Sequence, residues 1–272
     1  MPQFIGIKRL IKINPGESMK AVILSAGQGT RLLPLTADRP KCLVHVGSRT
    51  ILEHQVDALH FAGIDDITIV GGYRADRLRA FIEQRWGNAG PKLVLNPFFA
   101  VSSSISSVWA AREALEGPFC LMNGDTIFDG GLIADVLAAR VDGIGLAVER
   151  TEEPQHDDMR VRLSPGGRVL QVQKGLSPLL AQHRSLGLIV APTAWADYLA
   201  ALEAVIAGPD GTQSFHHDII GRMAKNGGVT AIEARGRWGE IDNGDDIATW
   251  LKTHEETAGI GEYETNRISV SG

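Results

Sequence analysis

The sequence predicts an open α/β fold in three layers (α/β/α), with helices on both faces of a mixed, mostly parallel central sheet. Three observations carry this. Short apolar runs alternate with segments of helical period from about residue 20 to residue 150. The first run, Ala21 to Leu24, opens directly into a loop of small residues, Ser25-Ala26-Gly27-Gln28-Gly29-Thr30. A later run, Phe119 to Met122, ends on Asn123-Gly124-Asp125, a polar turn at the carboxyl end of a strand, where open α/β sheets place their ligands.

Ile51 to Ala62 sets Leu52, Val56 and Leu59 on one helical face, and Ile67 to Val70 is a short buried strand. Asp76 to Trp86 is a second helix and Lys92 to Leu95 a strand. Ser102 to Leu115 opens on serines suited to capping and continues as a helix. Leu132 to Ala139 and Ile144 to Val148 keep the rhythm, which implies right-handed crossovers and a sheet covered on both faces. Beyond residue 150 the pattern changes. Met159 to Leu163 and Arg168 to Gln173 flank Ser164-Pro165-Gly166-Gly167, a hairpin signal. Leu186 to Val190 is a strand, and Ala194 to Ala207 and Ser214 to Lys225 are helices. Val229 to Glu233 and Trp238 to Ile241 are the last strands, and Gly244 to Thr253 the last helix.

Composition narrows the classes. A net charge of −5 argues against a nucleic-acid partner, which needs a basic face, so any anion site must be locally basic. No apolar run reaches the length of a membrane span. Cys42 and Cys120 sit in apolar surroundings and read as reduced core thiols, which sets a cytoplasmic location as the expectation. Residues 1–18 lack the apolar core of a signal peptide and read as an extension; residues 254–272 are a polar, aperiodic tail.

The loop after the first strand is the most informative segment. Small residues let backbone N–H groups approach an anion, and Arg31 and Lys41, separated by a Pro-containing turn, can neutralise a polyphosphate. It is not a dinucleotide fingerprint, because Leu32 stands where the third Gly or Ala belongs, and no Gly-Lys-Ser/Thr triplet closes a P-loop. Ala-Gly-Gln-Gly-Thr-Arg-Leu followed by Arg-Pro-Lys-Cys-Leu resembles the signature of the sugar-phosphate nucleotidyltransferases, and the likeness runs over about residues 19 to 252. Within that family the chain resembles the branch that activates phosphocholine and related small phosphates or phosphonates with CTP. Gly71-Gly72-Tyr73, Asn96 to Ser102, Asn123 to Thr126 and Trp238 to Asp242 carry this likeness. The resemblance implies a Rossmann-like fold of the nucleotide-diphospho-sugar transferase type. It also implies a single nucleotidyltransferase domain over 19–253, with a nucleotide half to about 150 and an acceptor half from 151, and leaves a homodimer open.

Asp125 and Asp242 each follow a strand and are suited to share one Mg²⁺, which takes few protein oxygens and leaves room for phosphate; the corresponding pair in the resembling family holds that ion. The implied reaction is attack of an acceptor phosphate oxygen on the α-phosphorus of a nucleoside triphosphate, with pyrophosphate release. The nucleophile is already ionised, so catalysis rests on alignment and charge neutralisation by Arg31, Lys41 and the ion, and no nucleophile–base dyad is required. Residues 25–31, Lys41 and Gly124 would receive the nucleotide. The family likeness points to Gly72, Tyr73, Ser103 and Ser104 for the base. Ser103 and Ser104 stand where the phosphocholine branch carries Asn; CTP is the expected nucleotide, with UTP the alternative.

The resemblance places Lys174 on the acceptor's phosphate, and Arg160, Trp238 and His217 are further acceptor-side candidates. Of the adjacent histidines 216 and 217, one is expected to be exposed and one packed, since neighbours on a helix diverge by about 100°. A trimethylammonium acceptor would favour an aromatic box drawn from Trp109, Trp195, Trp238, Phe215 and Tyr198; aminoethylphosphonate, a polyol phosphate and a sugar phosphate are the other acceptors. Two further readings are a glycosyltransferase and a non-catalytic regulatory subunit. The first usually carries Asp-x-Asp where this chain has Asp125-Thr126-Ile127; the second would be expected to have lost loop or carboxylate residues that are all present here.

Overall fold

The computed structural model describes residues 17–253 apart from 142, 153 and 154. The expected tail, and all but the last two residues of the expected extension, lie outside the described residues.

In chain order the first elements are β1 (Lys20–Ser25), β2 (His45–Val46), β3 (Arg49–Thr50), α1 (Ile51–Phe61), β4 (Asp66–Gly71) and α2 (Ala75–Trp86). They are followed by β5 (Lys92–Leu95), α3 (Ile105–Ala110), β6 (Phe119–Asn123), β7 (Thr126–Phe128), α4 (Gly130–Ala138) and β8 (Ile144–Arg150). The second half contributes β9 (Arg160–Leu163), β10 (Val169–Gln173), β11 (His183–Ala191), α5 (Trp195–Ile206), α6 (His216–Ala224), β12 (Val229–Glu233) and β13 (Trp238–Glu240). A last helix, α7, covers residues 244–253.

Nine strands form one sheet in the order β10-β9-β11-β6-β1-β4-β5, with β8 and β12 branching from β11. The pairs β6–β1, β1–β4, β4–β5 and β8–β12 are parallel, whereas β11 runs antiparallel to β6, β8 and β9. The strand period of two sorts the core into two faces. Ala21 and Ile23 of β1, with Cys120 and Met122 of β6, pack under α1, α2 and α4. Val22, Phe119 and Leu121 pack under α3, α5 and α6. Three layers result. Because β1 lies between β4 and β6, and the helices leading into those strands cover opposite faces, the carboxyl end of β1 is the topological switch point where such sheets open a crevice.

The structure departs from expectation at several elements, and the short β2–β3 ribbon was not predicted at all. α3 begins at Ile105 and gives way to a 3₁₀ turn at Arg112–Leu115 instead of running from Ser102 to Leu115. Its serines do not cap it: the Ser102 hydroxyl donates to the Phe98 carbonyl and the Ser106 hydroxyl to that of Ser103. β11 begins at His183, three residues before the predicted strand, and bends between Ser185 and Ile189 to serve both parts of the sheet. β7 was not predicted; it pairs antiparallel with β13.

Candidate active site

A cleft of about 470 Å³ opens at the carboxyl ends of β1 and β6. One wall is the loop after β1. Gly29 has φ +71°, and a Cβ there would come within 2.8 Å of the Lys41 stem, so only glycine lets Lys41 cross the loop. The buried Thr36 hydroxyl donates to the Gly29 carbonyl at 2.9 Å and fixes the turn. Gly124 is equally constrained: a Cβ would meet the Leu24 carbonyl oxygen and Ser25 Oγ at 2.4 Å.

Asp125 and Asp242 converge because β7 and β13 form a two-stranded ribbon directly beyond them. Glu240 stands opposite Thr126, and the Ile241 N–H donates to the Asp125 carbonyl at 2.9 Å. The Lys41 ammonium bridges the pair, 2.9 Å from Asp125 Oδ2 and in close contact with Asp242 Oδ1. Arg31 reaches Asp242 Oδ2 at 2.7 Å and Asp157 Oδ2 at 3.2 Å. Burial would lower the pKa of Lys41, but Asp125 and Asp242 outweigh it and hold the ammonium above its ordinary value. Beside them, Glu240 is pushed up to about 7 by burial in the cleft and by the charges of Asp125 and Asp242, although part of its surface is open to solvent. The two carboxylates that meet on the Lys41 ammonium form a pair of oxygen donors that fits a hard divalent ion. Among the described residues no three His, Cys, Asp or Glu side chains enclose a metal, so most of the ion's coordination shell would come from phosphate oxygens and water.

Of the sequence-predicted residues, Ser25, Ala26, Gly27, Gly29, Thr30, Arg31, Lys41, Ser103, Ser104, Gly124, Asp125, Lys174, His217, Trp238 and Asp242 line this cleft. Gln28, Gly72, Tyr73 and Arg160 do not. Tyr73 spends its hydroxyl on the Ala37 carbonyl at 2.8 Å, and its N–H on that of Ala26. Arg160 donates to the carbonyls of Leu176 and Gln155, tying two loops together. Ser104 Oγ accepts the His216 N–H at 2.9 Å and contacts His216 Nδ1 at 3.1 Å.

Both histidines are buried, contrary to expectation, with ring centroids 4.1 Å apart at the start of α6. Each takes a serine: Ser104 for His216, and Ser185 for His217 Nε2 at 2.9 Å. Burial pushes His216 down to about 4 against the pull of Asp125, and His217 well below its usual range, with His216 and Lys174 adding to the shift. Lys174 lies 5.2 Å from the Phe215 ring centroid. Of the five candidate box aromatics only Trp238 and Phe215 line the cleft. Trp238 already stacks under the Arg184 guanidinium and donates its indole N–H to Glu149 at 3.2 Å; Tyr198 is core, edge-on to Phe119. Sequence reasoning gave no role to Asn96, Asn123, Ser185 or Glu240. Glu240 was the one within reach, lying two residues before Asp242 on an expected strand.

A glycine loop at the end of the first strand, a pair of cations across it and two carboxylates brought together by a ribbon define a nucleotidyltransferase domain. Residues 21–211 match the MobA-like NTP transferase domain, and the chain belongs to that family. Mannose-1-phosphate guanyltransferase beta-B of Xenopus laevis is 28% identical over 265 residues, covering 93% of this chain and 71% of that protein. Choline-phosphate cytidylyltransferase of Streptococcus pneumoniae is 34% identical over 110 residues, 40% of this chain and 46% of the relative's own length. Among solved structures, CTP:phosphocholine cytidylyltransferase from Streptococcus pneumoniae superposes with a TM-score of 0.68 at 22% identity, covering 87% of this chain and 99% of that one. A UDP-glucose pyrophosphorylase complexed with UDP-glucose gives 0.75 at 14% identity, covering 89% of this chain and 100% of that one. The structural likenesses establish a shared fold.

Proposed function

We propose that the chain is a Mg²⁺-dependent nucleotidyltransferase that joins CTP to a small phosphate or phosphonate and releases pyrophosphate. One observation carries the reading: Lys41 and Arg31, on the loop suited to a polyphosphate, meet Asp125 and Asp242 at one end of the cleft. Backbone N–H groups of the loop over residues 25–30 receive the triphosphate, and Arg31 and Lys41 neutralise it. Asp125 and Asp242 would hold Mg²⁺, which when bound adds charge neutralisation between the reacting phosphates. Lys41, released from the carboxylates on which it rests, turns to the polyphosphate. Lys174 holds the acceptor's phosphate in line with the α-phosphorus. Losing one such charge is expected to cost on the order of 3 kcal/mol of barrier, about a hundredfold in rate.

The local match to a choline-phosphate cytidylyltransferase supports CTP. The engaged faces of Trp238 and Phe215 favour an acceptor other than a trimethylammonium compound, such as an aminoalkylphosphonate or a polyol phosphate. A second reading, a sugar-1-phosphate nucleotidyltransferase using UTP or another triphosphate, is supported by the longer match to a guanyltransferase. A cytoplasmic setting fits the two free, buried thiols, and no helix among the described residues is long and apolar enough to cross a membrane.

The deciding experiment is Mg²⁺-dependent pyrophosphate release in a grid of CTP, UTP, GTP, ATP and TTP against phosphocholine, 2-aminoethylphosphonate, inositol 1-phosphate and sugar 1-phosphates. Release with CTP and a small phosphate or phosphonate is the expected result. Release with a sugar 1-phosphate and another nucleotide would establish the second reading, and nucleotide binding without release from any pair would favour a regulatory subunit.

A further inference from the structure

The inner face of α1 carries one side chain that packing does not require. Gln55 is fully buried, on the helix whose Leu52, Val56 and Leu59 cover the sheet. Its Nε2 donates to the carbonyl oxygens of Asn123 at 2.7 Å and Thr126 at 2.8 Å. Carbonyls only accept, so the amide can face them in one orientation alone. Its Oε1 is left buried and, among the described residues, without a partner. Filling the space would take only an apolar side chain; the amide instead supplies a donor to two turn carbonyls and, among the described residues, leaves its own Oε1 buried and unpaired to do so. The two carbonyls it clamps bracket Gly124 and Asp125. Gly124 brings no side chain to steady that turn, which is otherwise tied by backbone bonds from the Gly124 N–H to Leu24 and from the Ile241 N–H to Asp125.

We infer that Gln55 is a positioning residue for the cation site: by pinning the carbonyls on either side of Asp125, it holds that carboxylate at its point of convergence with Asp242. The inference rests on the reading of Asp125 and Asp242 as the carriers of a divalent ion. Gln55 does not line the cleft, so its effect belongs on metal affinity and not on acceptor recognition.

The test is Mn²⁺ binding to the full chain, followed by electron paramagnetic resonance of the free ion, beside the metal dependence of pyrophosphate release. Gln55→Met keeps length and volume and removes both donors; Gln55→Leu, an apolar side chain of different shape and no added charge, serves if the methionine variant folds poorly. Either should weaken Mn²⁺ binding about tenfold or more. The metal concentration for half-maximal turnover should rise in parallel, with the acceptor KM held within about twofold. Val56→Ala, a cavity on the same helix at a fully buried position, should lower the melting temperature and leave Mn²⁺ affinity unchanged. Wild-type Mn²⁺ affinity in the Gln55 variants, or an equal loss in Val56→Ala, would overturn the positioning role and leave the site reading standing. A wild-type chain that binds no Mn²⁺ would overturn the site reading and this inference together.

Discussion

Lys41 sits where a compact charge on a flexible stem is needed: it crosses Gly29 and ends between two carboxylates. Lys174 lines the same cleft, beside Phe215, and no ion pair involving it is seen among the described residues. Lys174→Ala is therefore expected to raise the acceptor KM at least tenfold while moving the CTP KM little, as steady-state kinetics with each substrate varied would register; the reverse pattern would place Lys174 on the nucleotide. The buried histidines give a pH signature. His216 is held at about 4, below the unfolded value near 6.5, so the neutral ring is favoured in the fold. Its contribution is complete above about pH 6.5 and is lost as pH falls towards 4. Between pH 8 and pH 5 the loss from this one residue is about 2 kcal/mol. Urea melts across that range should show the slope in the wild type and a shallower one in His216→Gln. At this scale the residues that the structure brings together were legible where residue type and strand position coincide, as at Arg31, Lys41, Asp125 and Asp242. The burial of both histidines was not. The 100° rule fixes the angle between neighbouring side chains but says nothing of a second wall, here Ser104 and Ser185, that covers both rings at the start of α6.

Among the elements, the loop after β1 uses its glycines for different reasons. Gly29 is required by a positive φ and by the Lys41 stem, whereas a Cβ on Gly27 would meet no protein atom within 4 Å and would stand in a residue that lines the cleft. Gly29→Ala should lose about 1–2 kcal/mol of stability. Gly27→Ala should melt like the wild type and yet raise the nucleotide KM by crowding the bound triphosphate. Thermal melts and CTP titrations separate the two; a Gly27→Ala chain with an unaltered KM would remove the triphosphate from that loop. α1 was well placed by its period, and its capping box (Thr50 with Glu53) fixes where it starts. β7 escaped because Thr126–Phe128 is too short to show a period and gains its pairing only from β13, more than a hundred residues away.

For the whole molecule, β11 joins the two halves of the sheet, pairing with β6 on one side and with β8 and β9 on the other. One continuous sheet with a core on each face should unfold in a single step. Tryptophan fluorescence and far-ultraviolet circular dichroism should give coincident urea transitions, and two separate midpoints would show that the halves fold independently. The sequence by itself determined the alternation of strands and helices, the three layers that follow from it and the small-residue loop after the first strand, because each is written in local periodicity and residue type. Only the tertiary structure decided that the Lys41 ammonium bridges Asp125 and Asp242, that Arg160 and Tyr73 are spent on bracing loops, and that Gln55 reaches beneath the Asp125 turn. These depend on pairings across long sequence separations, which chain geometry fixes and no local pattern records.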